Sequence, residues 1–92
     1  MNEMHRKTCY FSGRVQGVGF RYTAQNIAQQ HNVRGFVKNL PDGRVQLVVE
    51  GPDEEIECVV DSISRRLKYY IGKMDSDTLP ATGEFERFRI AH

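Results

Sequence analysis

Alternation opens the chain. In "KTCYFSG", residues 7–13, Cys9 and Phe11 fall on one side, and Thr8, Tyr10 and Ser12 on the other. A period of two predicts a strand with one buried face. From Phe20 the period lengthens. Phe20, Ala24, Ile27 and Ala28 recur at i, i+4, i+7 and i+8, predicting a helix to about His31. "VRGFVKNL" and "RVQLVVEG" predict two strands joined by the turn "LPDG". There Pro41 presets φ, Asp42 tolerates the corner and Gly43 accepts positive φ, so the strands form a hairpin. Val45, Leu47 and Val49 share one face of its second strand.

"GPDEEIECVVDSISRRLK" predicts a second helix. Pro52 and Asp53 open it, acids fill its first turn, and Arg65, Arg66 and Lys68 fill its last, in the order that complements the helix dipole. Its buried stripe is Ile56, Val59, Val60, Ile63 and Leu67. "YYIGKMDS" and "FERFRI" read as weaker strands, with "TLPATGE" a loop between them. The order predicts an α+β fold: a ferredoxin-like βαββαβ sandwich. Its antiparallel sheet carries both helices on one face and ends in a short extra strand. A strand order of 4-1-3-2 brings the C-terminal ends of the first and second strands to one edge, about 10 Å apart.

With 92 residues, the expectation is a single domain spanning 1–92. Apolar content of 39% and charged content of 27% are ordinary for a soluble protein. Thirteen basic residues against twelve acidic leave a net charge of +1, which argues against a polyanion partner and leaves a small anion open. Cys9 and Cys58 form no C-x-x-C pair and read as two small buried apolar side chains. "MNEMHRK" lacks an apolar signal core, and no stretch approaches the ~18–20 apolar residues of a membrane span. The expectation is a reducing, cytoplasmic setting with no membrane partner.

The predicted first strand and first helix are joined through "GRVQGVGFR", Gly13 to Arg21, with three glycines and two arginines in nine positions. A Walker A loop requires a lysine after its last glycine, and a dinucleotide fingerprint requires G-x-G-x-x-G; this loop has neither. Two readings stay open. One is a glycine-rich turn with a solvated arginine. The other is a backbone cradle for an anion, since glycines let successive N–H groups converge and a helix N-terminus adds more. No Ser, Thr, Asp or Asn stands at positions 17–22 to cap that helix. Arg21 in the first turn is unfavourable by roughly 0.3–1 kcal/mol unless an anion sits beside it. Asn39 has the parity of Val37 and so faces the helices, at the sheet edge that receives the loop. It either bonds its own turn or holds a water or ligand oxygen.

"GRVQGVGFR", then "GFVKN" (Gly35 to Asn39), then Gly43, Val45 and Gly51, together closely resemble the acylphosphatases. The resemblance implies hydrolysis of the carboxyl-phosphate bond of acyl phosphates to a carboxylate and inorganic phosphate, without metal or organic cofactor. It implies that Arg21 binds phosphate, with the backbone of Val15, Gln16, Gly17, Val18, Gly19 and Phe20. It implies that Asn39 orients the attacking water. Phosphate is then both product and inhibitor, and a monomer is the expected state. The alternative within this fold is a non-catalytic module binding phosphate or carbamoyl phosphate. Arg14 is given no role, and residues 68–84 match no motif of the family.

His5, His31 and His92 have no ligand-like spacing, so no metal site is expected. Asp53, Glu54, Glu55 and Glu57 read as a helix first turn rather than paired catalytic carboxylates. Phe36, Tyr69 and Tyr70 read as sheet residues rather than stacking platforms. "RGFVKN" begins like the octapeptide of RNA-recognition domains, then fails at Val37 and Lys38, and no nucleic-acid partner is expected.

Overall fold

The computed structural model describes residues 3–92. The elements run β1 (Met4–Gly13), α1 (Phe20–Gln29), β2 (Arg34–Asn39), β3 (Val45–Pro52), α2 (Asp53–Arg66), β4 (Ile71–Pro80) and β5 (Phe88–Ala91). They form one five-stranded sheet in the order β4-β1-β3-β2-β5. The predicted 4-1-3-2 order is therefore present, with β5 added beside β2.

Alternation sorts the faces as expected. Cys9, Phe11, Val37, Val45, Leu47 and Val49 lie fully buried beneath the helices. They meet Phe20, Ala24, Ile27 and Ala28 of α1 and Ile56, Val59, Val60 and Ile63 of α2 in one core. Acids begin α2 and arginines end it, as the dipole favours. The stripe extends to Leu67, the residue after the helix, also in the core.

Four expectations need correction. The sheet is mixed rather than antiparallel, because β5 pairs parallel to β2. α1 ends at Gln29, two residues earlier than its apolar pattern suggests. β4 does not stop at Ser76 but continues through Pro80, where Thr78 and Leu79 pair with Lys7 and Arg6 of β1. Backbone pairing to a long partner strand carries β4 past the point where its own apolar signal fades. Tyr69 and Tyr70 precede β4, and both are exposed.

The parallel β5 has a topological cause. The chain leaves β4 at one edge of the sheet and must reach the far side of β2. Four strand spacings amount to about 19 Å, and the connection 81–87 can span ~23–25 Å if extended. It is held at three places. Ala81 N–H donates to Met4 O (3.2 Å), and Gly35 N–H donates to Arg87 O (3.1 Å). Between them Thr82 and Gly83 N–H donate to the Glu50 carboxylate at 2.9 and 3.0 Å. The sheet face opposite the helices is thus partly strapped by this loop.

Cys9 is buried, and burial pushes its thiol up to about 11. Cys58 is exposed, contrary to the expectation of two buried thiols, because it lies off the apolar stripe of α2. Both cysteines are free. Among the described residues, no helix is long and apolar enough to cross a membrane.

Candidate active site

The segment between β1 and α1 contains no regular structure from Arg14 to Gly19. Its start is fixed by Arg14 N–H, which donates to Tyr70 O at 2.9 Å. Its end is Gly19, the N-cap of α1, at φ 78° and ψ 19°. Gly17 also has φ 78°. This left-handed backbone is where an L side chain is strained, so the two glycines are needed for conformation; a Cβ at either would meet no atom within 4 Å.

No side chain caps α1, and its first turn holds no acid. The first helical bond is Thr23 N–H to Gly19 O, 3.0 Å. Among the described residues, the N–H groups of Val15 through Phe20 donate to no acceptor of the chain. A run of unpaired donors at a helix N-terminus is the arrangement that accepts an anion.

Part of this loop borders a cavity of about 130 Å³. Val15, Gly17, Gly19 and Phe20 of the loop line it, with Arg21 and Tyr22 of α1 and Asn39 at the end of β2. Val15 and Phe20 are otherwise core residues, 0% and 2% exposed, and Phe20 packs against Phe11 with ring centroids 4.9 Å apart. The core thus holds the loop from within. Arg21 takes part in none of the ion pairs among the described residues. Asn39 does not bond its own turn: its Oδ1 is buried and has no hydrogen-bond partner. A buried carbonyl oxygen without a donor costs roughly 1–3 kcal/mol, so this one calls for a partner, protein or otherwise.

Two residues expected at the site stand outside the cavity wall. Val18 is half-buried and packs on the core. Gln16 points to the neighbouring turn, where its Nε2 donates to Leu40 O (2.8 Å) and Arg44 O (2.9 Å). It therefore ties the glycine loop to the turn that follows Asn39. One lining residue had no signal of its own. Tyr22 is 70% exposed on the cavity rim. Its placement depends on where α1 starts relative to the sheet, which no periodicity reports. Among the described residues, no three His, Cys, Asp or Glu side chains are grouped to hold a metal ion.

Comparison with known proteins gives a consistent answer. The acylphosphatase family profile matches residues 7–90. An acylphosphatase of Lactobacillus johnsonii is 37% identical over 97% of this chain and 100% of its own length. One from Paenarthrobacter aurescens is 39% identical over 97% of this chain and 96% of its own. The crystal structure of acylphosphatase from Bacillus subtilis superposes with a TM-score of 0.88 at 30% identity, covering 96% of this chain and 99% of that one. The likeness covers nearly the whole chain, and the chain belongs to the acylphosphatase family, hydrolases of acyl phosphates.

Proposed function

We propose that the loop Val15 to Phe20 and Arg21 bind the phosphoryl group of an acyl phosphate, and that Asn39 orients the water that attacks it. The observation that carries this reading is one small cavity bordered by three kinds of unsatisfied group: backbone donors, an unpaired guanidinium and a buried amide oxygen. Donors and guanidinium suit phosphoryl oxygens, on which charge is held in the transition state. Asn39 Oδ1 suits a water hydrogen.

The chemistry needs little else. Water oxygen attacks phosphorus, and the bond from phosphorus to the acyl oxygen breaks. Its electron pair leaves on the carboxylate, a weak base that needs no general acid. The water proton passes to a phosphoryl oxygen, so no protein base is required. The protein contributes positioning and charge stabilisation.

The cavity is close in volume to one that holds a single benzene, ~150 Å³. It accommodates a phosphoryl group and a water, and the acyl group extends past Tyr22 into solvent. This reading favours tolerance of many acyl groups over selection of one.

Acetyl phosphate hydrolysis in the presence of a chelator tests the proposal. The expected result is turnover undiminished by chelation and competitively inhibited by inorganic phosphate. Phosphate binding without turnover would instead identify a binding module.

A further inference from the structure

Five of the surface cavities differ in charge. Three contain Asp or Glu side chains. The other two hold cations and no carboxylate. One is the site above. The second is a groove of about 270 Å³ on the helix-free face of the sheet, which the proposed reaction does not use.

Phe36 and Lys38 of β2 form its floor. They flank the buried Val37 and are about 7 Å apart along the strand. Arg89 of β5 pairs in register with Phe36, and Ala91 with Lys38. The small Ala91 leaves space beside the ammonium. Phe85 of the crossing loop meets Phe36 edge-on, with centroids 5.9 Å apart at 64°, and forms an aromatic wall. Gln46 closes the side toward β3.

Lys38 and Arg89 take part in no ion pair among the described residues. The contrast is Arg6, on the same face, which is paired with both Glu50 and Glu84. Nine of the thirteen Lys and Arg side chains, these two included, form no ion pair among the described residues; what sets these two apart is that they share a groove lined by no carboxylate, although Arg89 also borders the cavity that holds Glu84 and Glu86.

We propose that this groove binds a small flat aromatic anion of the nucleoside monophosphate class. The base stacks on Phe36, while Phe85, tilted 64° to it and carrying the Arg6 guanidinium 4.9 Å from its own ring centroid, forms the side wall. The phosphate lies between Lys38 and Arg89, the guanidinium offering a forked pair of donors and the ammonium a point charge. The volume, about 270 Å³, is just below the ~300–1,000 Å³ of ligand sites, which fits one nucleotide partly open to solvent rather than a chain of them. The inference does not depend on the proposed reaction, because Lys38 and Asn39 are adjacent on β2 but face opposite sides of the sheet.

The test is a titration of the whole protein with adenosine monophosphate, followed by amide chemical shifts. Saturable shifts are expected at Phe36, Lys38, Arg89 and Ala91. Ribose 5-phosphate, which lacks the base, is expected to bind about tenfold more weakly. Arg89→Ala, exposed on an edge strand, should weaken the nucleotide about fivefold or more, with unchanged thermal midpoint and unchanged acetyl phosphate turnover. Lys38→Gln should weaken it similarly and provides a second variant if the first misfolds. Absence of saturable shifts would overturn the proposal. So would shifts confined to Val15–Arg21, or equal binding of ribose 5-phosphate.

Discussion

Two buried acceptors, Asn39 and Glu50, stand on neighbouring strands and are treated in opposite ways. The Glu50 carboxylate, on the helix-free face of β3, receives four hydrogen bonds. Arg6 Nε donates at 2.8 Å, Thr82 N–H at 2.9 Å, Thr82 Oγ1 at 3.0 Å and Gly83 N–H at 3.0 Å. The Asn39 amide oxygen, on the helix face at the end of β2, receives none. The first arrangement closes every bond and pins a loop. The second leaves open an acceptor, an unpaired arginine and a run of backbone donors around one cavity. Complete satisfaction marks a stabilising contact, whereas grouped incompleteness marks a place for a ligand.

The contrast makes separable predictions. Replacing Arg21 should have the largest effect. Arg21→Ala is expected to lower turnover by about 10³-fold or more and to abolish inhibition by phosphate, without lowering the thermal midpoint. Asn39→Ala should lower kcat about 100-fold while the phosphate inhibition constant stays within about threefold, because its proposed role is to orient water rather than to bind phosphate. Parallel losses in both quantities would assign Asn39 to binding instead.

Glu50 should act in the opposite register. Glu50→Gln is expected to cost about 2–3 kcal/mol of stability in denaturant unfolding at neutral pH, since an amide cannot satisfy four donors. Its kcat per folded molecule should be unchanged. Burial pushes the Glu50 carboxyl up, but Thr82 N–H, Arg6, Gly83 N–H and the Thr82 hydroxyl together hold it below the usual carboxylate range. A folded value depressed in this way adds stability above the unfolded value of about 4.3. That stability is lost as pH falls through the lower, folded value. Wild-type protein should therefore lose stability on acidification in this window, and Glu50→Gln should show a shallower loss.

Gln16 lies between the two cases, since its bonds are satisfied yet serve the open site. Gln16→Ala should cost about 1 kcal/mol in stability and lower kcat/KM, as the loop loses its tie to the turn beyond Asn39. The smallest effect concerns the thiols. A maleimide at pH 8 should label Cys58 and spare Cys9 in the folded protein, with no change in turnover, as read by mass spectrometry.

Much of the site was legible because its signals are local. Glycines without a capping residue, and an arginine where the helix dipole opposes it, are contradictions within nine positions. Such contradictions point to a candidate ligand site, and the resemblance to acylphosphatases suggests roles for them. Gln16 could not be sorted in this way, because its partners Leu40 and Arg44 are more than twenty positions away. The role of Tyr22 on the rim and the exposure of Cys58 likewise depend on how the helices are set against the sheet.

Periodicity alone determined the number and order of elements, their buried faces and the core, since a side chain's face follows from counting by 2 or by 3.6. Tertiary structure alone decided the length of β4, the parallel β5 and the strap over Glu50. Those outcomes depend on backbone pairing and on the reach of a short connection across three intervening strands. Backbone hydrogen bonds are the same for every residue type, so the residues of β4 and β5 carry no local record of how far, or in which direction, those strands pair.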